Sequence, residues 1–358
     1  MIIAPEPRLE PAPAPYAATG QGRDRRRRRR RGASRQAGLW RLEMTLGAVV
    51  LVALTVVLTT WPSQVPARPM PPGLALAHSG LVVDEPFDRA VPDGTLLDSY
   101  VFNGSAHPGV GWVAGTAHGL EVGVHPHPGW QGWFAVTLHS APAATVWHAV
   151  VHRPAGTSEK PVEAVLAVQS ASTQHNGTID YVVVSSLTVH GRSTWQVGSA
   201  HGVVADAVTR FLWRQPLRRR AAVTQAVTLR TDGRHDLEVW FGDRLVYRST
   251  TLDMHDPPPF QAYLEVQAEG RPYVAGFTDF WVTADAPVTV RGLAPGSRLV
   301  LSTGDGPVRA VADAGGVAEL HVPPPVLSGT GTLVVTRDGA SRRYAGLHYA
   351  GGDVIVAG

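Results

Sequence analysis

Along most of this chain apolar and polar residues alternate with the two-residue period of a β-strand. Segments 119–124, 132–138, 146–151, 162–168, 181–189, 223–229, 237–241, 263–266 and 278–282 alternate or are rich in β-branched residues, and Gly, Pro, Asp and Asn fill the gaps. One stretch, 203–212, fits either the strand or the helix period. So many short strands in about 200 residues predict a sandwich or a barrel over residues 81–284. Beyond Asp285 the segments shorten and glycine increases. Segments 288–290, 298–301, 308–312, 317–322, 331–336 and 347–349 read as strands, with turns at Gly304-Asp305-Gly306, Gly315-Gly316 and Asp338-Gly339. Residues 285–358 are therefore expected to form a second, small β-sandwich near the lower size limit for independent folding.

The alternation is absent on the N-terminal side. Residues 46–58 are almost wholly apolar, with Trp40 and Trp61 bracketing the run and seven consecutive arginines, Arg25 to Arg31, before it. A helix over 39–61 would span roughly the 30 Å of a bilayer's hydrocarbon core, with both indoles at its interfaces. The arginine flank predicts that the N-terminus stays in the cytoplasm and that everything after residue 61 lies outside. Thr59, Thr60, Trp61 and Pro62 offer no small-residue cleavage site, so the helix is expected to stay as an anchor. Residues 1–38, rich in Pro, Ala, Arg and Gly, have too few large apolar residues to fold. Residues 62–80 contain Pro62, Pro66, Pro69, Pro71 and Pro72 and read as an extended stalk.

Charge changes the picture once it is divided along the chain. The total is +3, but residues 1–45 alone hold eleven arginines against Glu6, Glu10, Asp24 and Glu43, a balance of +7 that leaves about −4 for the remainder. The basicity therefore reports topology, and apart from Arg218-Arg219-Arg220 the larger part offers phosphates no cationic face, which excludes nucleic acid as the expected partner. Cysteine is absent, so the domains stand on hydrophobic cores without disulfides. Lys160 is the only lysine, a bias toward Arg, Ala, Gly and Val that suggests a high-GC bacterium and hence a bacterial envelope.

Three places give the larger β region a likeness. Phe87-Asp88-Arg89 with Asp93-Gly94-Thr95-Leu96, Gly111-Trp112-Val113 and Gly119-Leu120-Glu121-Val122 looks like an opening hairpin; Asp232-Gly233 and the run from His235 to Val246 look like paired strands around Gly242-Asp243; Ala275-Gly276-Phe277-Thr278-Asp279-Phe280-Trp281-Val282 looks like a closing strand. Together they resemble the concanavalin A-like jelly roll in its laminin G-like form. The C-terminal part, through Val290 to Gly296 and Asp313 to Ala318, is similar to small prealbumin-like or immunoglobulin-like modules. The implied fold class is all-β: a concanavalin A-like jelly-roll sandwich plus a small C-terminal β-sandwich, preceded by one transmembrane helix.

Jelly rolls of this class include retaining glycoside hydrolases whose motif, Glu-x-Asp-x-Glu, puts carboxylates on one strand face. Asp236 and Glu238 have the alternating spacing, but Trp240 stands at the third position, and the same pair also reads as the solvent face of a strand whose core side is Leu237, Val239 and Phe241. Glu265 and Glu269 share a face with Gln267 between them. Trp130 and Trp133 flank a Gln131-Gly132 loop and are the candidates for stacking on sugar rings, whereas Trp147, Trp240 and Trp281 sit in strand patterns and read as core. His125 and His127 have no acidic partner nearby, and no cofactor is implied. The resemblance admits calcium, for which Asp84, Asp93 and Asp279 supply oxygens without spacing that selects among them.

These features predict a membrane-anchored, extracytoplasmic and non-catalytic binding protein that recognises an envelope polysaccharide or a protein partner. Two alternatives stand beside it: a membrane-tethered glycoside hydrolase or lyase of the jelly-roll class, and a structural or assembly protein of the envelope.

Overall fold

The computed structural model describes residues 68–85, 87, 97–102, 111–116, 119–126, 131–138, 145–155, 158–170, 178–203, 209–217, 223–252, 254 and 259–358. All of them belong to one compact unit, 63–358. The expected cytoplasmic tail 1–38 and transmembrane helix 39–61 lie outside the described residues, among which no helix is long and apolar enough to cross a membrane.

In chain order the strands are β1 Leu74–His78, β2 Leu81–Glu85, β3 Leu97–Phe102, β4 Gly111–Thr116, β5 Gly119–Val124, β6 Gln131–Leu138, β7 Val146–Arg153 and β8 Val162–Ser170. They continue as β9 Thr178–Val189, β10 Arg192–Val203, β11 Arg210–Leu217, β12 Val223–Thr231, β13 Leu237–Phe241, β14 Arg244–Ser249, β15 Phe260–Glu269 and β16 Tyr273–Thr283. The C-terminal module adds β17 Val288–Arg291, β18 Arg298–Thr303, β19 Gly306–Val311, β20 Ala318–Leu320, β21 Ser328–Arg337, β22 Ala340–Ala350 and β23 Val354–Ala357.

Alternation in sequence becomes alternation in space. On β8, Val162, Ala164, Leu166 and Val168 are buried while Glu163, Ala167 and Gln169 look out; on β15, Phe260, Ala262, Leu264, Val266 and Ala268 are buried while Gln261, Glu265 and Gln267 look out. The long hairpin β9–β10 closes through His190 (φ 48°) and Gly191 (φ 66°), two consecutive left-handed residues of the kind that match the twist of paired strands. The ambiguous stretch 203–212 begins at the end of β10 and finishes in β11.

Two antiparallel sheets result, with orders β11-β10-β9-β8-β15-β6-β3 and β14-β13-β12-β7-β16-β5-β4, β2 joining the second by pairing with β16. The chain passes from one sheet to the other at β2–β3, β3–β4, β5–β6, β6–β7, β7–β8, β11–β12, β14–β15 and β15–β16, which is the winding of a jelly roll. Inward residues of both sheets form one core, where Trp147 meets Phe260 edge-on at 6.1 Å. Trp281 is buried as expected, but Trp240 is not a core residue. Its neighbours Val239 and Phe241 take the inner face, so the period of 2 turns Trp240 outward and leaves it half-buried.

The C-terminal module is two four-stranded sheets, β1-β23-β17-β20 and β19-β18-β21-β22. Its first strand comes from the segment read as stalk. Leu74–His78 pairs antiparallel with β23, and Asp353, fully buried, accepts Arg68 Nη2 at 2.6 Å, Gly80 N at 2.9 Å and Ala350 N at 2.7 Å. The prolines set the texture of 62–80, but the apolar residues of Leu74-Ala75-Leu76 after them were enough to complete a sheet. The module's core also takes in Leu81, Val146 and Trp281 from the jelly-roll side, so the two sandwiches share apolar residues.

Candidate active site

The structure places Glu238 in an ion-pair cluster. It is 9% exposed on β13, with Arg248 Nη2 at 2.6 Å and Arg230 Nη1 at 3.7 Å. Asp236 precedes the strand, at the end of a turn in which Asp232 Oδ1 accepts the backbone N–H groups of Arg234, His235 and Asp236, each at 2.9 Å. Trp130 lies outside the described residues. Residue 133 occupies the position on β6 directly opposite Gln267 of β15.

Carboxylates gather on the outward face of the seven-stranded sheet, on its central strands. β15 contributes Glu265, Gln267 and Glu269, the set visible in sequence, and β8 contributes Glu163. In the ladder Glu265 stands opposite Val165 and Gln267 opposite Glu163, so the two glutamates are diagonal neighbours, a relation that puts Cβ atoms about 7–8 Å apart. Glycoside cleavage uses carboxyl groups about 5–5.5 Å apart for retention and 6.5–9.5 Å apart for inversion, the same scale as the Cβ spacing of a diagonal pair.

Each glutamate is held through Oε1. Gln267 Nε2 donates to Glu265 Oε1 at 2.6 Å, while Glu163 Oε1 accepts Gln196 Nε2 at 2.8 Å and the Ser185 hydroxyl. These donors come from β15, β10 and β9, which lie side by side with β8 in one sheet. Burial pushes Glu265 up to about 8, an effect that Gln267 opposes and the charge of Glu163 reinforces. Burial also raises Glu163, against the hydrogen bonds from Ser185 and Gln196. The two donors on Glu163 oppose that rise without reversing it, and Glu265 holds a proton at neutral pH. Tyr181, bonded to Thr209 Oγ1, is raised by burial and by the negative field of both glutamates. Glu269, at the edge of the cluster, pairs with Lys160 Nζ at 2.5 Å.

Sequence spacing alone picked out Glu265 and Glu269, with Gln267 between them, but not Glu163, Ser185 or Gln196, which β-ladder pairing brings in from other strands. Residues 265–269 read Glu-x-Gln-x-Glu, one substitution from the Glu-x-Asp-x-Glu pattern of jelly-roll hydrolases.

On the outer side of the other sheet, Asp279 has a positive φ of 51° where the β16–β7 register shifts. Its carboxyl is raised by burial and by the like charge of Asp84, which is itself raised by burial against Arg68 and His348. Beside them His148 stacks on Trp281 at 4.7 Å, bonds Thr228 Oγ1 at 2.8 Å and is pushed down to about 4 by burial. Asp84 and Asp279 thus come together; Asp93 and His127 lie outside the described residues, and His125 is exposed. Among the described residues no group of three or more His, Asp or Glu side chains is arranged to hold a metal ion.

No protein-family model matches the chain, and no curated protein matches it. Solved structures that it resembles include the catalytic domain of an endo-1,3-β-glucanase (laminarinase) from Thermotoga petrophila, at 12% identity and a TM-score of 0.42 over 56% of this chain and 96% of that one. A β-glucanase of Bacillus licheniformis gives 12% identity and a TM-score of 0.40 over 57% and 98%. An endo-β-galactosidase of Clostridium perfringens that releases GlcNAcα1-4Gal gives 9% and 0.44 over 79% and 84%. At that distance neither substrate nor mechanism follows from the likeness.

Proposed function

We propose that this protein is a glycoside hydrolase of the concanavalin A-like jelly-roll class, held outside a bacterial membrane by an anchor at 39–61. The observation that carries the reading is the diagonal pair Glu163 and Glu265: two half-buried carboxyls on one sheet face, each fixed through Oε1 and each raised by burial, with Glu265 protonated at neutral pH and two hydrogen-bond donors opposing the rise at Glu163. Acid-assisted glycoside cleavage needs one carboxyl that holds a proton and a second that acts as the anion; the raised Glu265 suits the first role, and the two donors on Glu163, absent from Glu265, suit Glu163 better to the second. Glu265 gives its proton to the glycosidic oxygen as the bond from that oxygen to the anomeric carbon breaks. The carboxylate of Glu163 then meets the positive charge that develops on the sugar, by attacking the anomeric carbon or by taking a proton from the water that does.

The test is release of reducing ends from β-glucans and β-galactans by the full chain in detergent. Glu265→Gln and Glu163→Gln are each expected to lower the rate by about 10²–10⁴, the usual contribution of a positioned proton-transfer group. Unchanged rates in both variants would refute the assignment.

One observation favours a second reading, non-catalytic polysaccharide binding: the centre of the β15 pattern is Gln267, an amide that cannot ionise. Retention on a polysaccharide with no release of reducing ends would establish that reading instead.

A further inference from the structure

The opposite outer face of the jelly roll carries an exposed indole on a seat built for it. Trp112 of β4 is 41% exposed, and because Val113 beside it packs on the core, Trp112 faces away from the core. It pairs with Gly123 of β5, where a Cβ would stand 2.3 Å from the indole Cε2 and 2.4 Å from Nε1. Only glycine at 123 lets the ring lie down on the sheet. On β16, Val274 stands opposite Gly123, and diagonal to Gly123 lies Gly276, which stands between Glu121 and His152 in the ladder and where a Cβ would come 3.3 Å from His152 Cβ. His152 is itself fixed, with Nε2 bonded to Thr278 Oγ1 at 2.7 Å and Nδ1 to Thr224 Oγ1 at 3.1 Å.

The surface is thus a flat aromatic plate beside a low strip of backbone, edged by a carboxylate, an imidazole and hydroxyls. A flat ring takes the C–H face of a sugar, and polar groups at its edge take the hydroxyls. Burial lowers the pKa of His152, so the imidazole is neutral at pH 7, and Glu121 on the strip would repel an anionic polymer.

We infer that Trp112, Gly123 and the Gly276 strip form a second carbohydrate site, non-catalytic and specific for uncharged polysaccharide, on the face opposite Glu163 and Glu265. The inference shares one element with the proposed function, a polysaccharide as ligand. The two sites lie on different sheets and cannot hold the same few sugar units. A polymer long enough to reach both would gain avidity from the second contact, whereas a short oligosaccharide would not.

The experiment measures retention of the full chain, in detergent, on insoluble cellulose, chitin and β-1,3-glucan, beside cleavage of short soluble oligosaccharides. Trp112→Ala is expected to lower retention roughly tenfold, the scale of one lost aromatic contact, and to leave oligosaccharide cleavage unchanged. Glu265→Gln should do the reverse. Gly123→Ala, which lifts the ring without removing it, should weaken retention in the same direction, and melting curves confirm that the variants are folded. Full retention by folded Trp112→Ala, or no retention of the unmodified chain on any of the three polymers, overturns the inference. Lost retention in Trp112→Ala with unchanged cleavage in Glu265→Gln and Glu163→Gln would leave this site standing while refuting the proposed catalytic pair.

Discussion

Glu265 ties activity and stability to the same proton. Its pKa in the folded chain, about 8, lies above the ordinary carboxyl range, so between the two values the folded state binds a proton that the unfolded chain has released. Its contribution to stability is therefore complete at low pH and declines as pH rises through 8. His148, lowered to about 4 by burial, acts in the other direction, costing stability as pH falls below the ordinary histidine value toward 4. The comparison of Glu265→Gln with the unmodified chain separates them: the difference in melting temperature between pH 5 and pH 8.5 should shrink in the variant, because the amide does not titrate. Cleavage should fall as pH rises through 8, where Glu265 loses the proton it donates. Ser185→Ala removes one donor from Glu163 and leaves its anion less favoured, so the acid limb of the pH–rate profile should move to higher pH. An unmoved limb would mean that Ser185 does not position Glu163. At this scale the sequence was half legible. Glu265 and Gln267 share one strand, and period 2 shows that they share a face; Glu163, Ser185 and Gln196 join them through pairings that no local pattern records.

The central strands carry the site because their inner residues hold them still. β8 and β15 bury an apolar residue at every second position, and the same alternation turns Glu163 and Glu265 outward. Trp147 on β7 spans the gap between the sheets to Phe260 at the start of β15. Trp147→Ala should cost about 3–5 kcal/mol, the usual range for removing a fully buried large aromatic, measurable as a lower denaturant midpoint with the slope unchanged. Strand existence was readable from alternation, as was the buried side of most strands. Trp240 shows where that reading stops. Its position in an apolar run suggested core, but β12–β13 pairing turns it to the outer face opposite Thr228.

The stretch read as a free stalk is, for its last part, a component of the C-terminal module. Arg68 and Asp353 form a buried ion pair at 7% and 0% exposure, and β1 supplies an edge of the sheet that contains β23. With the anchor proposed at 39–61, only residues 62–67 separate it from Arg68, a reach of about 20 Å at full extension. Asp353→Ala should destabilise the chain by about 3–5 kcal/mol, because it strands a buried guanidinium, and Arg68→Met in the same background should recover part of that loss. No change in melting temperature on Asp353→Ala would show that the pair does not hold the segment in place.

The amino-acid sequence by itself determined the all-β class, the turns, and the concentration of positive charge before residue 45. All of these are local: alternation, Gly and Pro at breaks, and charge counts need no knowledge of what lies next to what. Tertiary structure alone decided which strands are neighbours, and with that everything about the candidate site. A carboxyl is driven to hold a proton by how much water is removed around it and by a charge on the adjacent strand, and both are set by pairings between residues far apart in the chain. The same non-local pairing took Leu74–His78 from the stalk into a sheet and laid Trp112 flat on a glycine.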